Sequence, residues 1–290
     1  MQRRAVKMLR RAILVLCAPV FLSRFFAQET GSEYGVGFFR KMCLLVRMLQ
    51  NRFGIVTACG FLDQVIMVTE ILCIPRGIQG GVVECGSYQG GSTANLSLVC
   101  GLVGRTLHVF DSFAGLPEPS EADTLHVLPS IRELRAFRRG DFCGTLETVK
   151  ANVQRCGRLE VCHFHEGYFE TTLPRFAEPS VFAFCDVDLR ASLETCVEHL
   201  WPVLANRCYL FTHEANHMEI ASLFFDPTWW KVHLQCAPPG LVGAGSGLGL
   251  YVSDQGFFRS SLGFAIKDIR AVDFAASGSV NPRLLSQQAG

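Results

Sequence analysis

The sequence predicts an α/β fold: a mostly parallel sheet with an antiparallel hairpin at one edge, preceded by an N-terminal helical extension. Three observations carry this reading. From about residue 61, short apolar runs alternate with segments of helical spacing. Polar, chemistry-capable residues follow the strand-like runs, at the rim where such sheets take ligands. Only a Gly/Pro-rich loop, "APPGLVGAGSG", separates the last two strand-like runs.

The elements follow in order. The N-terminus, "MQRRAVKMLRRAILVLCAPVFLSRFFAQ", opens with five basic residues (Arg3, Arg4, Lys7, Arg10, Arg11) and has no acid before Glu29. Its apolar run, Ala12 to Leu22, is shorter than the about 20 residues of a bilayer span. It reads as a signal core, an organellar transit segment, or an amphipathic helix on the core or a membrane surface. The last is favoured, because "VGFFRKMCLLVRMLQNRFG" (36–54) is a second basic amphipathic helix. Next come a helix, "FLDQVIMVTEILCI"; a strand, "GGVVECG"; a helix, "GGSTANLSLVCGLV"; and a strand, "RTLHVFDSF". A long polar stretch, 117–144, precedes the helix "TLETVKANVQRCG", which Gly157 stops. Then follow strand "RLEVCHFHEGYF", strand "VFAFCDVDL", helix "RASLETCVEHLWPVLAN" and strand "RCYLFTHE". "WWKVHLQC" and "GLGLYV" are predicted as the closing strands. The expected organisation is helices over 1–60, one α/β domain over 61–275 and a frayed tail over 276–290.

Composition narrows the function classes. The chain has 290 residues, 49% hydrophobic and 18% charged, with net charge +1. That is a globular balance with no field to recruit nucleic acid. Thirteen cysteines without regular spacing and without a CxxC pair read as reduced, mostly buried thiols.

The stretch "GGVVECGSYQGGSTANL" (80–96) carries the most information. Gly86, Gly90 and Gly91 permit close backbone approach, and the following helix start offers free N–H groups. The spacing is not that of a dinucleotide fingerprint, and no Gly-Lys-Ser/Thr follows. Acidic Glu84 argues against a polyphosphate and suits a ligand with positive charge. Asp111, ending the next strand, stands where a carboxylate commonly takes a ribose diol.

"VVECGSYQGGST" resembles the first motif of the class I S-adenosylmethionine (SAM)-dependent methyltransferases, whose sheet is Rossmann-like. "FDSFAGLP", "EGYFETTLP" and "DVDLRASLETCVEHLWPVL" resemble, more narrowly, the macrocin O-methyltransferase family. The resemblance covers roughly residues 60 to 255. It implies methyl transfer from SAM to a hydroxyl of a small molecule, of sugar or natural-product type. It places Glu84, Gly86, Ser87, Tyr88, Gly90, Gly91, Ser92 and Thr93 around the methionine part of the cofactor. It places Asp111 and Ser112 on the ribose, and Gly167, Tyr168 and Phe169 near the adenine. Core packing is the competing reading for Tyr168 and Phe169, and turn capping for Asp111.

The resemblance also implies a divalent cation, Mg²⁺ in the family, held by an Asp after the fourth strand and an Asp-Asp pair after the fifth. Asp186 matches the first. "FTHEAN" departs from the pair, so the expected ligands are Asp186, His213 and Glu214, a set better suited to Mn²⁺, Fe²⁺ or Zn²⁺. Two other readings stay open. Asp186 and His213 act catalytically with His213 as a metal-free base, or the chemistry is lost and a silent cofactor-binding scaffold remains. A nucleotide-sugar or NAD enzyme on a similar sheet is a further rival.

"HEANH" (213–217) formally matches a zinc-protease helix, but it follows a strand, which argues against that use. His163 and His165 share one strand face and are read as packed or solvated rather than as a metal pair. Within 117–144, Asp141, Phe142, His126 and the arginines 132, 135, 138 and 139 are candidates for acceptor recognition or for a solvated face. Trp229 and Trp230 could wall an acceptor ring. The expected partner is a small-molecule hydroxyl acceptor and no nucleic acid, with the N-terminal helices as a lid, membrane contact or homo-oligomer contact. The expected location is cytoplasmic, with organellar or peripheral-membrane alternatives.

Overall fold

The computed structural model describes residues 22–120, 123, 126–127, 134–135, 137–215, 217–243 and 261–268. A short helical segment, 22–26, leads to α1 (Phe38–Gly54) and α2 (Phe61–Cys73). The repeat unit then runs β1 (Gly81–Cys85), α3 (Gly91–Val103), β2 (Leu107–Asp111), α4 (Leu146–Cys156), β3 (Cys162–Glu166), β4 (Ser180–Cys185), α5 (Arg190–Val203) and β5 (Leu204–Thr212). It closes with α6 (Pro227–Leu234) and β6 (Gly263–Ile266).

The sheet order is β3-β2-β1-β4-β5-β6. All neighbours are parallel except β5 and β6, which pair antiparallel from Tyr209↔Ile266 to Thr212↔Gly263. The order reverses between β1 and β4, which creates a crevice at their carboxyl ends. β1 and β4 are buried on both faces, and their runs "VVEC" and "SVFAFC" show none of the alternation of a half-exposed strand.

The edge differs from the sequence reading. "WWKVHLQC" is not a strand: Pro227–Leu234 is helical. Asp226 caps it, its carboxylate accepting from the Thr228 and Trp229 amides at 2.9 and 3.0 Å, and Pro227 sits where a missing N–H costs nothing. The antiparallel edge strand is instead Gly263–Ile266. "GLGLYV" lies outside the described residues, as do residues 1–21 and the tail 276–290.

The helical extension belongs to the same core. Met48 and Leu44 of α1 are buried in one apolar cluster with the sheet. A chain of side-chain amides links the layers: Asn51 of α1 donates to Asn95 of α3, and Asn95 donates to Gln64 of α2. Gln64 in turn donates to the Cys59 carbonyl at 3.2 Å. Arg24 clasps buried Glu70 of α2 through both guanidinium nitrogens. The described cysteines are all free thiols. No helix among the described residues is long and apolar enough to cross a membrane.

Candidate active site

Glu84 is one residue from the end of β1, between Val109 and Phe184 in register. It is fully buried, and neither carboxylate oxygen has a hydrogen-bond partner. The hydroxyls of Ser92 and Thr93 lie close enough to favour its charge, but neither completes a hydrogen bond of good geometry. Burial pushes the Glu84 carboxyl up to about 8, with Asp186 and Asp111 adding to the rise and those hydroxyls opposing it. A buried, unpartnered acid is costly. A cationic group placed beside it would relieve that cost.

The backbone around Glu84 is built for close approach. Gly86 has φ +87, and a Cβ there would meet the Asp186 carbonyl oxygen at 2.0 Å. β1 and β4 thus come together with no room for a side chain. Gly90 has φ +81 and starts α3. Gly86→Ala is expected to destabilise the fold by about 2–4 kcal/mol, since both contacting groups are backbone. Chemical denaturation reads this, and a loss below about 0.5 kcal/mol would mean the β1–β4 contact relaxes freely.

The ribose candidates are organised differently from expectation. Asp111 Oδ2 accepts from the Ser87 amide at 2.6 Å and the Ser87 hydroxyl at 2.9 Å, and its Oδ1 accepts from the Phe113 amide at 2.7 Å. Asp111 therefore ties the glycine turn to the end of β2, using three of its roughly four acceptor positions. The Ser112 hydroxyl closes a turn, donating to the Gly115 carbonyl at 2.7 Å and accepting from the Ala114 amide. Gly167 donates to the Asp111 carbonyl at 2.9 Å, so the ends of β2 and β3 meet. Phe169 packs on the main core, and Tyr168 is half-buried ahead of a short helical turn.

The polar stretch after β2 covers the turn. A Cβ on Gly144 would meet the Tyr88 carbonyl oxygen at 1.8 Å, and the Tyr88 and Phe142 rings pack edge-to-face at 5.7 Å. Tyr88, Phe113, Phe142 and Asp188 all hold left-handed backbones without being glycine. They gather on this rim, and such conformations concentrate at functional sites. Asp141 is a local cap, accepting from the Arg138 amide. The side chains of His126, Arg132 and Arg135 lie outside the described residues.

Beyond Asp186, the fifth strand delivers His213 and Glu214. His213 lies between two carboxylates: Nδ1 is 3.4 Å from Asp186 Oδ1, and Nε2 is 3.6 Å from Asp63 Oδ2. Burial alone would favour the neutral ring, but Asp186, the Cys59 thiol and Asp63 together raise the imidazole well above its ordinary range. Burial pushes Cys59 itself up to about 11, against the pull of His213. Asp63 and Cys59 were invisible as site residues in the sequence. Asp63 is in the first turn of α2, where an acid reads as a helix-dipole partner.

Asp186, His213 and Glu214 converge closely enough to share an ion. Their chemistry does not fit the Mg²⁺ that the family resemblance implies. Glu214 is buried 3.0 Å from His217, and His213 would present an imidazole nitrogen to the ion. A hard cation takes oxygen ligands, whereas an imidazole suits Mn²⁺, Fe²⁺ or Zn²⁺ better. The protease reading of "HEANH" fails on geometry. His213 follows β5, while the short helix begins only at Met218.

Other candidates are structural. Trp230 is fully buried, donating to the Leu223 carbonyl at 2.7 Å, and Trp229 stacks on His233 at 4.7 Å, so neither walls the site. His165 stacks on Phe110 at 4.1 Å and on His108, which burial pushes down to about 4, while His163 is exposed. That is a packed face.

A profile of the macrocin O-methyltransferase (TylF) family matches residues 62–221, more than half of the chain. The chain belongs to this family. The span matched to the macrocin O-methyltransferase family includes the glycine turn, Asp186 and the end of β5. Among solved structures, the O-methyltransferase NovP is similar at 17% identity, covering 73% of this chain and 83% of its own, with a TM-score of 0.50. That likeness supports the fold. The calicheamicin methyltransferase CalS11 is 15% identical, covering 78% and 79% respectively, with a TM-score of 0.46. TomG from Streptomyces achromogenes, solved in complex with SAM, is 11% identical, covering 77% and 90%, with a TM-score of 0.43. No curated relative matches the sequence.

Proposed function

We propose that this chain is a SAM-dependent O-methyltransferase acting on a hydroxyl of a small molecule, of the sugar or natural-product type that its macrocin O-methyltransferase family suggests. The observation that carries the reading is Glu84: a fully buried carboxylate with both oxygens unpaired, beside a glycine turn at the switch point. The ammonium of SAM supplies the missing partner. The residues fit the group: Glu84 would hold the ammonium, the Gly86–Gly91 turn its carboxylate end, and Asp111 the ribose with its remaining acceptor capacity. When bound, SAM supplies a methyl group activated on a sulfonium.

The chain's own residues do the rest. Asp186, at the end of β4 and 18% exposed, faces the crevice and orients the acceptor hydroxyl. His213, clamped between Asp186 and Asp63, fixes the Asp186 carboxylate, and in its neutral form takes the hydroxyl proton. The segment around Tyr88 and Phe142 shields the site from water.

Thermal unfolding with and without S-adenosylhomocysteine tests the reading. At a concentration of about 100 times Kd, the ligand should add about 2.7 kcal/mol. A shift with NAD and none with S-adenosylhomocysteine would overturn it. A shift followed by no turnover across many hydroxyl acceptors would leave the silent-scaffold reading, in which the charged Asp63–His213–Asp186 arrangement is structural.

A further inference from the structure

One face of α1 has no use in the site. Phe39, Met42, Val46, Leu49 and Phe53 are all exposed, Phe39 at 83% and Phe53 at 84%. At about 100° per residue they fall in one sector roughly 80° wide. Lys41, Leu44, Met48 and Asn51 occupy the opposite sector and are buried against the body. The apolar exposed sector therefore lies opposite the face that packs on the body, and nothing covers it among the described residues. Phe38 at 59% and Val56 at 68% extend the exposed face at each end.

The charges beside this stripe indicate what covers it. Residues 38–54 contain no acid. Exposed Arg40 and Arg47 flank the stripe on one side and exposed Arg52 on the other. Arg47 spends one donor on the Arg155 carbonyl, which leaves its charge at the flank. An apolar sector rich in Phe, bordered on both sides by long basic side chains, is the pattern of a helix lying in a bilayer interface. The sequence just before residue 22 repeats the composition, with Arg3, Arg4, Lys7, Arg10 and Arg11 ahead of the apolar run 12–22.

We propose that the exposed face of α1 docks on an anionic lipid bilayer, with Phe39, Val46 and Phe53 entering the acyl boundary and Arg40 and Arg52 meeting lipid phosphates. The charge pattern disfavours the other occupants. A second copy would set two acid-free basic helices against each other. The chain's own residues 1–21 are basic as well. A nucleic acid would need the cations on the face itself, not an apolar stripe between them.

The test is co-sedimentation of the full chain with phosphatidylcholine vesicles, with and without a minority of phosphatidylglycerol. The expected result is binding to the anionic vesicles that weakens with salt. Each arginine near an anionic surface is worth roughly fivefold, so Arg40→Glu with Arg52→Glu should reduce binding by roughly twentyfold or more. Phe39→Asp with Phe53→Asp should reduce it at least about tenfold. These side chains are exposed, so thermal stability and the S-adenosylhomocysteine response should stay as in the parent chain. No binding to anionic vesicles would overturn the proposal. So would binding indifferent to both double variants, or a concentration-dependent dimer that Phe39→Asp dissociates and that ignores lipid.

Discussion

Glu84→Gln should make the ligand-free protein more stable and its cofactor site worse. The unfolded carboxyl ionises near its ordinary 4.5, whereas the folded one holds its proton up to about 8. Between those values the folded state binds more protons, so wild-type stability falls as pH rises. At 1.36 kcal/mol per pH unit, the span sets a ceiling on the order of 5 kcal/mol. The Gln variant escapes this loss. The gap in unfolding free energy between the two proteins, read by denaturant titration, should be small near pH 5 and widen by a few kcal/mol towards pH 9. A gap independent of pH would show that Glu84 is ionised in the empty fold. In the proposed complex the ammonium pairs with ionised Glu84. Binding of S-adenosylhomocysteine at pH 7 should then release up to about one proton, visible by calorimetry in buffers of different ionisation heat. The Gln variant should release none and bind on the order of 100-fold more weakly.

The second large effect concerns Asp186 and its neighbour. Asp186→Asn should leave S-adenosylhomocysteine binding within a few-fold and cut turnover by about 10²–10⁴. Wild-type turnover in that variant would end the assignment. Asp63→Asn tests the clamp without touching the acceptor. His213 is raised by carboxylates on both sides. Its contribution to stability is complete below the ordinary 6.5 and is lost as pH rises through its elevated folded value. Nitrogen NMR of the imidazole should show the cation persisting above neutral pH in the parent chain. In Asp63→Asn it should disappear at lower pH, and turnover should set in at correspondingly lower pH. An unchanged titration would mean that Asp63 does not act on His213.

The parallel body of the fold was legible because β1 and β4 are short apolar runs each followed closely by a helix. The closing edge was not. "WWKVHLQC" has the aromatic and β-branched content of a strand, and the local cap Asp226-Pro227 overrides it. Around Glu84, the strand–turn–helix geometry was readable because β1, the turn and α3 are contiguous. Asp63 was not, since it reaches His213 from a helix far away in sequence. The role of Asp111 was half-legible: its place at the end of β2 was correct, but its bonds to Ser87 and Phe113 are tertiary facts.

The amide chain from Asn51 through Asn95 to Gln64 has a consequence for how the molecule could be oriented in space. A slip of α1 by one residue would turn Asn51 about 100° away and leave the buried Asn95 carbonyl on α3 without its donor. The outer helix is thereby keyed to the helix that begins at the glycine turn, much as a gear tooth fixes two shafts. Anything that grips the outside of α1 also sets the heading of the carboxyl rim. A surface-bound molecule would present its crevice at one fixed angle, and acceptors would have to arrive from that side.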